Sequence, residues 1–135
     1  IQAMGKSRQI ILSGNDLESN IGFAQANRID ELLCISGTGP SDEFGQTVGL
    51  NDIHLQTQYC FEKSLDSVLK AGGTADDVIR TRIFITNRDN LKTVASIHRG
   101  FFGSIQPACS VLIVQGLLDP EWLIQIEMDA YIKSP

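Results

Sequence analysis

Positive charge is scarce in this 135-residue chain: 11 Lys and Arg stand against 16 Asp and Glu, a formal charge of −5. A partner held chiefly through phosphates wants the opposite balance, so nucleic acid is argued against from the outset. No basic stretch interleaved with aromatics offsets it. Long apolar runs are missing as well. None exceeds Val111 to Val114, far short of the roughly 20 residues a membrane-spanning helix requires, so no membrane partner is expected. Cysteine is sparse: Cys34, Cys60 and Cys109 are odd in number, far apart, and form no Cys-x-x-Cys. That excludes a disulfide framework and a zinc cluster and predicts reduced thiols. His54 and His98 lack the carboxylate spacing of a metal site, and nothing calls for a cofactor. Residues Ile1 to Lys6 lack the charged-then-apolar order of a secretory signal, and Met4 reads as a natural start. The expectation is a cytoplasmic protein with residues 1–6 as a flexible terminal extension.

What is present is the make-up of an ordinary globular domain, with 42% hydrophobic and 20% charged residues, 12 Gly and 4 Pro. At this length roughly two-thirds of the unfolded chain's surface can be buried, enough for a core without disulfide or metal. No repeat or linker divides it, so residues 1–135 read as one domain. Alternating runs predict strands over Ser7–Ser13, Phe23–Ile29 and Glu31–Ser36. Beyond the break at Gly37-Thr38-Gly39-Pro40 the period turns helical from Asn51. Ile53, Thr57, Cys60, Phe61, Ser64, Leu65, Val68 and Leu69 form a stripe that closes at Gly72-Gly73. Val78–Thr86 reads as a strand with Ile79, Thr81, Ile83 and Ile85 on one face and Arg80, Arg82 and Phe84 on the other. A second helix carries Leu91, Val94, Ala95, His98, Phe101 and Phe102, with Asp89 as its cap and Gly103 at its end. Strands over Cys109–Gln115 and Leu123–Ile132 complete the order β-β-β-α-β-α-β-β. This is an α+β fold, a mixed sheet with both helices on one face.

The last two strands differ in a telling way. Ile124, Ile126, Met128, Ala130 and Ile132 make one continuous apolar face, which should meet the helices. The strand before it is apolar on both faces, Val111 and Ile113 on one and Leu112 and Val114 on the other. Helices on one face cannot cover both, so a partner subunit is expected on the helix-free face.

Five segments then line up in order: Ile21-Gly22-Phe23-Ala24-Gln25-Ala26, Cys34-Ile35-Ser36-Gly37-Thr38, Asp76-Asp77-Val78-Ile79-Arg80-Thr81, Gln106-Pro107-Ala108-Cys109-Ser110 and Ile124-Gln125-Ile126-Glu127. Over nearly the whole chain they resemble the RidA/YjgF family of reactive-intermediate deaminases, also labelled endoribonuclease L-PSP. The resemblance implies a homotrimer with a ligand cleft between subunits. It also implies a chemistry in which an arginine clamps the carboxylate of a 2-imino acid and a glutamate activates water, giving a keto acid and ammonia. A clamp of this kind needs a planar, permanently charged fork, and the water step a proton acceptor. This chain departs at both positions, with Cys109 for the arginine and Gln125 for the first glutamate, and Ala95 stands where the family often has a pocket asparagine. Pro120-Glu121-Trp122-Leu123 resembles branches of the family that lack the arginine.

Glu127 shares a strand face with Gln125 about 6.7 Å further along and is the candidate catalytic base, against a plain ion-pair role. The candidate substrate-binding residues are Phe23, Ser36, Gly37, Thr38, Cys109, Val111, Trp122 and Gln125. Gly37 and Thr38 end a strand and can present backbone N–H groups. Cys109 has no base nearby in sequence to make it a nucleophile and reads as a pocket-lining hydrophobe. Trp122 reads first as an interface anchor and second as a roof over the cleft. Arg80 and Arg82 are expected to pair with Glu127 or Asp129, and His98 to be a core histidine. Three functions compete: imine or enamine hydrolysis on a substrate other than a standard 2-imino acid, non-catalytic binding of a small metabolite by the trimer, and the ribonuclease of the old label.

Overall fold

A computed structural model describes residues 7–133, and the expected terminal extension over 1–6 lies outside the described residues. Six strands form one sheet: β1 (Arg8–Ile11), β2 (Ala26–Ile29), β3 (Leu32–Thr38), β4 (Val78–Ile85), β5 (Ala108–Ile113) and β6 (Ile124–Tyr131). Their spatial order is β1-β2-β3-β6-β4-β5, with β4 and β5 parallel and every other pair antiparallel. Helices α1 (Ile53–Lys70) and α2 (Leu91–Phe102) pack together over one face. The expected α+β architecture is the observed one.

Sequence chemistry accounts for the helix ends. Asp52, in extended backbone, accepts a hydrogen bond from the Leu55 N–H and caps α1. Gly72, at a φ of 95°, turns the chain out of the helix, and the Gly73 N–H reaches back to the Val68 carbonyl. The buried side of α1 is Gln56, Thr57, Cys60, Phe61, Ser64, Ser67 and Val68, so the stripe is rotated from its expected line and Leu69 is exposed. In α2 the core residues are Val94, Ile97 and Phe102, with Ile97 taking the place expected of Ala95. Asp89 does not cap α2. Asn87 caps a single 3-10 turn, Arg88–Asn90, that runs directly into it.

Alternate residues of β6, Ile124, Ile126, Met128 and Ala130, are fully buried beneath the helices, as their spacing requires. On β4 the expected alternation fails at one point. The ladder to β6 shifts between Val78 and Arg80, so Val78 is buried while Ile79 bulges out, half-exposed. β5 gives the larger surprise. It is the edge strand, and Val111, Leu112 and Ile113 are each about two-fifths exposed, so this chain covers neither of its faces. The main helix contacts on the sheet are those of α1 with β6 and β3, at its centre. The expectation that the chain's own helices cover one side is therefore corrected. Among the described residues no helix is long and apolar enough to cross a membrane.

Candidate functional site

The site forms where β3 loses its regularity. Its ladder to β6 pairs Ile35 with Met128 but Thr38 with Ile126, so an extra residue is accommodated around Ser36 and Gly37. At Gly37 a Cβ would collide with the Gln125 amide, and at Gly39 it would lie 2.5 Å from the Trp122 ring. Two residues without side chains thus let Gln125 and Trp122 lie flush on the strand backbone. Beside them opens a cavity of about 80 Å³, with Phe23, Gly37, Thr38, Trp122 and Gln125 in its wall. Five of the candidates are brought together here.

The other four are not. Ser36 donates its hydroxyl to the Ala24 carbonyl at 2.6 Å, a stitch between β3 and the segment entering β2. It faces a separate open depression of about 730 Å³ on the helix-free side, shared with Cys34 and Phe23. Cys109 and Val111 pair with Thr81 and Ile83, which places them on the helix side of the far edge strand. Glu127 pairs with Arg82 across β6 and β4 on the opposite face, and its carboxylate meets the Arg82 guanidinium at 3.4 Å, with Asp129 at 3.5 Å from the same nitrogen. The arginine pairing follows the strand alternation. A single subunit therefore does not assemble Glu127, Cys109 and the cavity at one point.

Several wall residues carry no signal in the sequence. Glu18 lies in a short π-helical turn, Glu18–Gly22, just before the expected second strand, whose first residues, 23–25, fall outside β2. It is only 6% exposed, yet its carboxylate is saturated by the Ser13 and Gly14 N–H groups and the Ser13 hydroxyl at 2.9 to 3.2 Å. Those bonds turn the chain away from the sheet, which is why β1 stops at Ile11 rather than Ser13. Gln25 donates to the Thr38 hydroxyl at 3.0 Å, and that hydroxyl donates to the Ser36 carbonyl at 2.9 Å. The Trp122 indole N–H is buried and finds no hydrogen-bond partner among the described residues. Lys63 reaches in from α1 and donates to the Ser41 carbonyl at 3.0 Å, sharing that acceptor with the Tyr59 hydroxyl at 3.2 Å. Burial pushes the lysine amine below its ordinary value, against an opposing pull from Cys60, Glu18 and Asp42. A lysine off the apolar stripe of a helix reads as solvated, so only the tertiary fold reveals it.

Elsewhere the histidine expectation holds. His98 is half-buried against Phe61 and Phe102, and its Nε2 lies 2.8 Å from the Thr81 hydroxyl. Burial lowers its pKa from the ordinary 6.5. The fold thus favours neutral imidazole, and in acid the unfolded chain takes up the proton that the folded one refuses. Stability from this group is present above about pH 6.5 and is lost as pH falls through the depressed folded value. The urea midpoint should accordingly drop further between about pH 7.5 and 5.5 in the natural protein than in His98→Gln, which keeps a partner for Thr81. Equal drops would show that His98 titrates as an exposed group. Among the described residues no group of three or more His, Cys, Asp or Glu side chains converges as metal ligands would.

A small α+β protein with its last strand at the centre of the sheet and a polar cavity at a glycine-bearing bulge is the class these features define. The chain belongs to the endoribonuclease L-PSP family, whose sequence profile matches residues 13–132. It is 35% identical to Rv2704 of Mycobacterium tuberculosis, a member of the YjgF/YER057c/UK114 family, whose crystal structure superposes with a TM-score of 0.84 over 93% of this chain and 100% of that one. The Rid-family protein YyfA of Yersinia pestis is 32% identical with a TM-score of 0.83 over the same shares. An uncharacterized Streptomyces coelicolor protein is 28% identical over 121 residues, 90% of either chain.

Proposed function

We propose that the chain acts as a homotrimer that hydrolyses a small reactive imine or enamine to a carbonyl compound and ammonia, in clefts between its subunits. One observation carries the reading: five residues chosen by family resemblance, scattered from Phe23 to Gln125, surround a single cavity. The trimer is supported by the bare edge strand and by the sheet order. Cys109 on β5 and Phe23 before β2 stand at opposite ends of the sheet, so a cleft that contains both has to be built from two subunits. Backbone groups at Gly37 and the Gln125 amide orient the substrate. Water adds to the imine carbon, a carboxylate takes its proton, and ammonia leaves.

Glu127 is the proposed proton acceptor. Its pairing with Arg82 joins side chains 33% and 36% exposed, and such a bridge contributes only about 0–1 kcal/mol, so it yields easily to a ligand. Without an arginine at Cys109 a carboxylate ligand loses about 1.5–3 kcal/mol, which shifts preference to substrates other than standard 2-imino acids. The test is ammonia release from freshly generated 2-iminopropionate and from imines without a carboxylate. Turnover is expected on the latter, and Glu127→Gln should slow it by roughly 10²–10⁴-fold, the usual worth of a general base, without lowering the melting temperature. Unchanged release by Glu127→Gln removes the assigned role. Silence on every imine leaves the non-catalytic metabolite-binding trimer, which the uncharged Gln125 and the engaged Glu127 favour. Clean, Glu127-dependent RNA cleavage at low salt would restore the ribonuclease reading.

A further inference from the structure

The cavity contains a group that the proposed hydrolysis does not use. Lys63 brings a primary amine into a wall that otherwise holds Trp122, Phe23, glycine backbone, neutral amides, hydroxyls and the carboxylate of Glu18. Among the described residues it forms no ion pair. The salt bridges join Lys70 to Asp66 and Arg82 to Glu127 and Asp129, and Lys63 gives its one hydrogen bond to a neutral carbonyl. The nearest buried carboxylate, Glu18, is occupied by Ser13 and Gly14. An amine held in partial desolvation with no carboxylate at ion-pair distance is the condition under which lysine serves as a nucleophile toward carbonyl carbon.

The rest of the wall suits the same chemistry. The Trp122 ring lies in the cavity wall beside Phe23, giving the site an apolar side for the alkyl part of a small ligand. The Tyr59 hydroxyl, one helical turn before Lys63, shares the Ser41 carbonyl with the amine and helps to fix that acceptor beside the cavity. A cavity of about 80 Å³ admits a ligand of only a few heavy atoms.

We propose that Lys63 is a carbonyl-binding amine that condenses reversibly with a small aldehyde or ketone seated in the cavity against Trp122. The lysine nitrogen forms a bond to the carbonyl carbon while the carbonyl oxygen gains a proton, giving a carbinolamine. That oxygen then leaves as water, carrying the protons lost from nitrogen, and a C=N bond to Lys63 remains until water reverses both steps. The condensation needs no oxidant or reductant. Burial, which lowers the proton affinity of this amine, raises its unprotonated fraction near neutrality. The inference rests on reading this cavity as the ligand site and deepens it, since imine hydrolysis releases a carbonyl compound there.

The experiment is reductive trapping of the whole protein at neutral pH with limiting propionaldehyde, and in parallel with pyruvate, in the presence of cyanoborohydride. Peptide mapping then gives the rate at each lysine. Lys63 should be alkylated at least about tenfold faster than the exposed Lys70 and Lys92, because its seat in the cavity and its lowered proton affinity both favour condensation. Labelling of Lys63 no faster than of the surface lysines overturns the proposal directly in the natural protein, whatever the folding of any variant. Preferential labelling by pyruvate alone would overturn it in favour of an anion site at the same amine. Ammonia release with no trapping at Lys63 leaves the hydrolase standing and removes this inference. Trapping without ammonia release from any imine does the reverse.

Discussion

Gln56→Leu is expected to destabilise the protein by about 3 kcal/mol or more, because it strands three backbone groups at about 1–3 kcal/mol each. Gln56 is fully buried on α1. Its amide donates to the Gly49 carbonyl at 3.1 Å and to the Glu121 carbonyl at 3.0 Å, while its oxygen accepts from the Leu123 N–H at 2.7 Å. Leucine has nearly the same volume, so packing is kept and only the hydrogen bonds go. At the usual entropy of unfolding for a domain of this size the melting temperature should fall by on the order of 10 °C. Gln56→Glu should be no better, since it keeps one acceptor, loses both donors and buries a charge. The bonds to Glu121 and Leu123 also hold the segment carrying Trp122, the chain's single tryptophan. Its fluorescence should therefore shift to the red in Gln56→Leu below the unfolding transition, showing the cavity wall loosened ahead of the core. A loss under about 1 kcal/mol would mean that water reaches these groups after all.

Phe61→Ala should cost about 3–5 kcal/mol, the usual range for emptying a large aromatic site in a core that can only partly collapse. Phe61 is fully buried, with the rings of His98, Phe101 and Phe102 at centroid distances of 5.6, 5.4 and 6.0 Å. It is the contact through which α1 and α2 hold each other against the sheet. Removing it opens a route for water to His98, so the acid sensitivity assigned to that histidine should shrink in the same variant. A double-mutant cycle with His98→Gln, measured by urea unfolding, checks both statements. Additive effects would show that the two rings do not communicate.

What the sequence made legible follows from how far each signal reaches. β6 announced its buried face because every second residue is apolar and its neighbours are not. α1 announced itself through a stripe several turns long, and its rotation toward Gln56 and Ser67 escaped notice because both are polar. Gln56 is buried on account of three backbone partners that lie 7, 65 and 67 residues away, which no local period encodes. The bulge that turns Ile79 outward depends on pairing between β4 and β6, and it likewise has no local mark. In the cavity, Phe23, Gly37, Thr38, Trp122 and Gln125 were reached through family resemblance, whereas Lys63 and Glu18 belong to the wall only because the folded chain brings a helix and a turn beside β3. The exposed edge at β5 was half-seen: apolarity on both faces was plain, but its place at the rim of the sheet was a matter of strand order.

That strand order governs when the cavity can exist. β6 is the last of the described strands in sequence, yet it lies between β3 and β4, joining the two halves of the sheet. Until it emerges from the ribosome, β1-β2-β3 and β4-β5 have no common ladder, and Trp122 and Gln125 have no wall to complete. Long-range closure of this kind comes late in folding, so a nascent or C-terminally clipped chain carries two unjoined sheet fragments and no ligand site. The site therefore depends on β6 being in place, and loss of residues 124–131 would delete the middle of the sheet rather than its edge.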